Sequence, residues 1–129
     1  VSRALLLSCA GVGKTYGARP LFDDLSLGVF EGDQVGLVGP NGSGKSTLLK
    51  ILAGVVAPDT GSRSLRGGTR VGYVAQDPSF PAGGAIADVV LGALADVEDG
   101  ERPGRVAQAL GRAGFTDARA DVATLSGGW

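Results

Sequence analysis

The sequence predicts an α/β fold, strand-rich over its first two-thirds and helical over its last third. One observation is a junction. The apolar run Val35-Gly36-Leu37-Val38 reads as a buried strand, and it passes through Gly39-Pro40-Asn41-Gly42-Ser43-Gly44-Lys45-Ser46-Thr47 into Leu48-Leu49-Lys50-Ile51-Leu52-Ala53, which reads as a helix. The other is a change of period. Leu25-Ser26-Leu27-Gly28-Val29-Phe30 alternates apolar and small residues, whereas Ile86, Val89, Val90 and Leu94 recur at helical spacing, as do Val106, Leu110 and Ala113.

Taken in order, residues 4–9 and 12–15 read as extended structure that one bent strand would satisfy. Residues 25–30 form a second strand, and Glu31-Gly32-Asp33 a turn. Residues 35–38 are the strand before the glycine loop. The helix after the loop should stop near Gly54, with Pro58 just beyond, and Asp59-Thr60-Gly61 is another turn. Residues 62–65 and 70–75 read as two short strands joined through Gly67-Gly68 in a hairpin. Residues 76–81 form a proline-bearing loop. Two helices follow, the second opened by Pro103, with residues 100–104 a flexible link between them. The expected units are residues 1–83, the core part, and residues 84–129, the helical part.

Residues 39–47 match G-x-x-x-x-G-K-[ST], the phosphate-binding P-loop. Glycines let the backbone turn tightly and present bare N–H groups to phosphate oxygens, and the helix N-terminus adds its positive dipole end. Lys45 would reach the outer phosphates, and the Ser46 hydroxyl would sit on Mg²⁺. A second Gly-Lys-Thr, at Gly13-Lys14-Thr15, fails the pattern. Ser8 stands where the first glycine should be, and Gly17 and Pro20 prevent a helix from opening. Lys14 is therefore expected to be an ordinary loop lysine.

The 129 residues suit one modest domain, and 43% hydrophobic content is that of a globular protein. A net charge of −1 with no long basic run argues against this segment alone gripping a nucleic-acid backbone. The longest apolar stretch is too short to span a bilayer, and the first residues do not read as a signal peptide. A single cysteine excludes an internal disulfide and suits the cytosol, and with no histidine there is no His-based metal site or base.

Four features fall in one order: Tyr16 within Lys14-Thr15-Tyr16-Gly17, the P-loop, Gln76 after Tyr73-Val74-Ala75, and Leu125-Ser126-Gly127-Gly128-Trp129. Together they resemble the ATP-binding cassette (ABC) ATPases over the whole chain. The resemblance implies a P-loop NTPase core with an antiparallel β subdomain and the start of a helical subdomain, truncated at its C-terminus. It implies ATP and Mg²⁺ as ligands. Tyr16 would stack on adenine, and Gln76 would be the Q-loop glutamine that coordinates Mg²⁺ and contacts the attacking water. Ser126, Gly127 and Gly128 would be the signature that acts on the γ-phosphate held by a partner domain.

In that family an apolar strand ending in Asp-Glu and a switch histidine follow the signature. Neither lies before Trp129, so no catalytic residue is expected here and the catalytic Glu would lie beyond the chain end. Residues 89–96 imitate such a strand but precede the signature, and their Ala and Leu content favours helix. Negligible ATPase activity is therefore expected of this polypeptide by itself. The implied partners are a second ABC domain across the ATP, with a ribosome if the protein is of the soluble ABC-F type or a transmembrane subunit if it serves a transporter. The implied location is cytoplasmic. The Trp129 that ends the signature, where transporter cassettes mostly carry glutamine, favours ABC-F, as do the mere 31 positions from Lys45 to Gln76. A third possibility is a non-catalytic fragment that only binds nucleotide or a partner.

Overall fold

In the computed structural model, residues 2–77, 80, 83–94 and 97–125 are described. The chain divides into two compact units, Val1–Val74 and Ala75–Trp129.

The first unit is built on a three-stranded antiparallel sheet. Strand β1 (Leu5–Tyr16) lies between β2 (Arg19–Phe30) and β3 (Thr60–Leu65). β1 is a single strand with irregular register near Val12, so the bent strand expected from sequence is found. On β2 the period-2 pattern of residues 25–30 reappears as alternating half-buried and exposed positions. Helix α1 (Lys45–Ala53) lays Leu48 and Ile51 inward. Ile51 packs with Cys9 and Val12 of β1, and Phe22, Leu27, Leu52 and Val56 close over them. Burial pushes the Cys9 thiol above its ordinary range, with the nearby Arg63 charge a smaller opposing effect. α1 ends at Gly54 as expected, and Arg63 of β3 donates from Nε to the Leu52 carbonyl at 2.7 Å, satisfying one orphan acceptor of that end.

Two expected strands are not formed. Residues 35–38 and 70–75 have no ladder partners among the described residues, and Val38 and Val74 are 91% and 89% exposed. An apolar run becomes a strand only when neighbouring strands take up its N–H and C=O groups, and none flanks these segments here. The hairpin through Gly67-Gly68 is therefore also absent. Residues 62–65 instead pair with β1, in the register Leu7↔Leu65 and Cys9↔Arg63. Thr60 and Gly61, expected in a turn, already belong to β3.

The second unit holds α2 (Ile86–Gly92) and α3 (Arg102–Ala113). Their buried Ile86, Val106 and Leu110 form a core that Val90, Leu94, Phe115, Val122 and Leu125 complete. The helical reading of residues 86–92 is thus found, and Pro103 sits in the first turn of α3. The link between the helices is displaced from its expected place, because α2 already ends at Gly92 and residues 102–104 are already helical. Segment 118–122 is tied to the start of α2. The Ile86 and Ala87 N–H groups donate to the Ala120 and Ala118 carbonyls, and the Val122 N–H donates to Gly84.

Candidate functional site

The glycine loop turns into α1 through Gly44, whose φ of 94° is left-handed backbone. A side chain there would be strained by conformation and would also meet the Phe22 ring, 3.0 Å from an added Cβ. The loop is therefore seated on β2. The Leu48 N–H donates to the Gly44 carbonyl at 2.9 Å, which starts the helical ladder. No side chain caps this N-terminus, and no acidic residue lies in its first turn. No acidic side chain of that first turn therefore competes for its first N–H groups and dipole end.

The Lys45 ammonium donates to the Gly39 carbonyl at 2.5 Å and the Pro40 carbonyl at 2.8 Å. The loop is also closed by the Ser43 N–H donating to Pro40 at 3.3 Å. These acceptors are neutral, so they hold the lysine across the loop without cancelling its charge. Ser46 is exposed and Thr47 half-buried on the first turn of α1, while Asn41 and Gly42 are exposed at the loop tip. Among the described residues no three His, Cys, Asp or Glu side chains cluster as a metal cage. A hydroxyl such as that of Ser46 suits Mg²⁺, which takes few protein ligands and is completed by substrate phosphates and water.

Tyr16 ends β1 opposite Arg19, and its side chain is 52% exposed. Two register steps away Lys14 faces Phe22, the residue on which Gly44 rests. The fold therefore brings Tyr16 and the glycine loop to the same strand pair. Gln76 lies in an exposed bend of the second unit. Ser126, Gly127 and Gly128, with Trp129, lie outside the described residues.

Lys14 departs from expectation. It belongs to β1, not to a loop, and its side chain is only 14% exposed. Its ammonium donates to Asp59 Oδ1 at 3.0 Å and to the Ala57 carbonyl at 3.1 Å. Asp59 Oδ2 accepts the Thr15 N–H at 2.8 Å, and the Asp59 N–H donates to Gly13 at 2.9 Å. The Thr15 bond, followed by the Lys14 contact, holds the Asp59 carboxyl below the usual carboxylate range. Sequence reasoning took Asp59 for a turn residue and missed this clamp. No local signal pointed to it, because Lys14 and Asp59 stand 45 residues apart in sequence.

A profile described as ABC transporter matches residues 22–129. The Fe(3+) ions import ATP-binding protein FbpC of Streptomyces coelicolor is 37% identical over 95% of this chain and 39% of its own length. The energy-dependent translational throttle protein EttA of Mycobacterium tuberculosis is 42% identical over 52% of this chain and 12% of its own. An inward-facing structure of a metal-chelate type ABC transporter superposes with a TM-score of 0.79 at 29% identity, covering 97% of this chain and 52% of that one. The chain spans 11% to 39% of the length of the curated relatives it matches. The chain belongs to the ABC transporter family as part of its ATP-binding domain.

Proposed function

We propose that this chain contributes one ATP half-site of an ABC ATPase. The observation that carries this reading is the first turn of α1, free of any capping side chain, with Lys45 drawn across the loop by neutral carbonyls. Phosphates would exchange for those carbonyls around Lys45 and accept from the N–H groups of residues 41–47. Adenine would stack on the exposed Tyr16 ring, where a π face holds a purine without base-specific hydrogen bonds. Ser46 and Gln76 would be the protein ligands that hold Mg²⁺, which would supply positive charge against the phosphates. Ser126, Gly127 and Gly128 would serve the opposite half-site of a second ABC domain. Together with that domain and the catalytic acid, the whole protein would hydrolyse ATP to drive a conformational change.

The whole protein is read as a cytoplasmic, translation-associated ABC-F protein. Trp129, the short span from Lys45 to Gln76 and the likeness to EttA support this. A transporter subunit is the second reading, favoured by the likeness to FbpC over 95% of the chain. No described helix is long and apolar enough to cross a membrane. Calorimetric titration of Mg-ATP tests the half-site, and binding undiminished by Lys45→Ala would refute it. ATP-dependent co-sedimentation with ribosomes tests the ABC-F reading. Failure to co-sediment, with co-purification of a membrane subunit instead, would replace it with the transporter reading.

A further inference from the structure

The Lys14 ammonium makes a third contact beyond Asp59 and Ala57. It stands over the Tyr16 ring, 5.5 Å from the centroid. Three independent contacts thus converge on one nitrogen, and two of them belong to the segment that leaves α1. That segment is held hard against β1. A Cβ at Gly13 would fall 2.5 Å from Thr60 Oγ1, and one at Gly61 would run into the Gly11 carbonyl. A continuous path therefore runs from the glycine loop along α1, through residues 57–59, to Lys14 and the Tyr16 ring.

We propose that Lys14 is a positioning residue for the Tyr16 ring: it presses one face and leaves the other to a purine, at a distance from the P-loop fixed by the Asp59 clamp. The idea rests on the reading of Tyr16 as the base platform and goes beyond it. A ring in a chosen orientation loses less freedom when a base stacks on it. An ammonium over one face also draws π density toward itself, so the opposite face is better suited to an electron-rich purine. The Lys14–Asp59 pair accounts for why this lysine is nearly buried although it holds no phosphate.

The test is calorimetric titration of the full chain and its variants with Mg-ATP and, separately, with inorganic tripolyphosphate, thermal unfolding being followed for each protein. Lys14→Met should weaken ATP about two- to five-fold, the value of one exposed cation–π contact. It should leave tripolyphosphate unchanged. Lys14→Arg should restore most of the loss, and in a Tyr16→Ala background Lys14→Met should have no further effect. ATP affinity unchanged in Lys14→Met, while Tyr16→Ala weakens it, overturns the inference and leaves the base platform standing. Equal weakening of both ligands also overturns it, since that is the mark of a merely structural lysine. If Tyr16→Ala itself leaves ATP affinity intact, the base-platform reading fails first and the inference falls with it. Should Lys14→Met not fold, Asp59→Asn releases the ammonium while keeping an acceptor for Thr15, and the same selectivity for ATP over tripolyphosphate is expected or the inference is lost.

Discussion

Gly13-Lys14-Thr15 and Gly44-Lys45-Ser46 are nearly the same tripeptide, placed on different backbones. The first runs inside β1, which is paired with β2 and β3, and Asp59 takes up its Gly13 carbonyl and Thr15 N–H. Its lysine answers a carboxylate of the protein's own and is 14% exposed. The second opens a helix, where the first N–H groups have no ladder partner, and its lysine rests on two neutral carbonyls. A lysine spent on Asp59 is committed to the fold. A lysine held by carbonyls can exchange them for an anion at small cost. Lysine and hydroxyl side chains are common to both sites, so the difference in their partners comes from the backbone.

The comparison breaks most severely at the scaffold behind Lys14. Gly61 has a φ of 77° and no room for a Cβ against Gly11. Gly61→Ala should therefore cost roughly 3 kcal/mol or more, combining the left-handed penalty with a backbone clash. Thermal or urea unfolding checks this, and a midpoint within a degree or two of wild type would show that the β1–β3 approach is softer than described. Lys45→Ala should do the reverse. The exposed loop bonds carry little stability, so unfolding should barely change. ATP affinity should fall about tenfold or more, the scale of a lost charge-assisted bond to phosphate. An unfolding midpoint that falls in step with affinity would show that Lys45, like Lys14, is structural.

Legibility differed between the same two sites. Residues 39–47 could be read because every requirement is local: the glycines, the lysine, and a helix that starts at that lysine. The Lys14 clamp depends on Asp59, some forty-five residues away, reached only because β3 crosses to β1. No local pattern encodes that crossing, and the apparent hairpin of residues 62–75 pointed to another partner for residues 62–65. Helices α2 and α3 were visible from their period, and the Gly54 stop from its glycine. The strands expected at residues 35–38 and 70–75 were misjudged for a physical reason. Apolar composition states a wish for burial, whereas strand formation needs a neighbour.

The smallest expected effect sharpens the comparison through pH, because only the Lys14 site contains a titrating partner. Asp59 is depressed in the folded chain, first by the Thr15 N–H and then by Lys14. A depressed carboxyl contributes stability above its unfolded value, about 3.9, and that contribution is lost as pH falls through the lower folded value. Asp33 behaves alike, held down first by the Phe30 N–H and then by Arg3. Wild type should therefore lose stability as pH drops below about 4. Asp59→Asn should lose less over that window, because asparagine still offers Thr15 an acceptor and does not titrate, while the Asp33 share of the slope remains. Unfolding midpoints at pH 7 and in mild acid, at constant ionic strength, measure the difference. Superimposable pH profiles for the two proteins would mean that Asp59 is not charged against Lys14, and the contrast between a committed lysine and an exchangeable one would have lost its electrostatic basis.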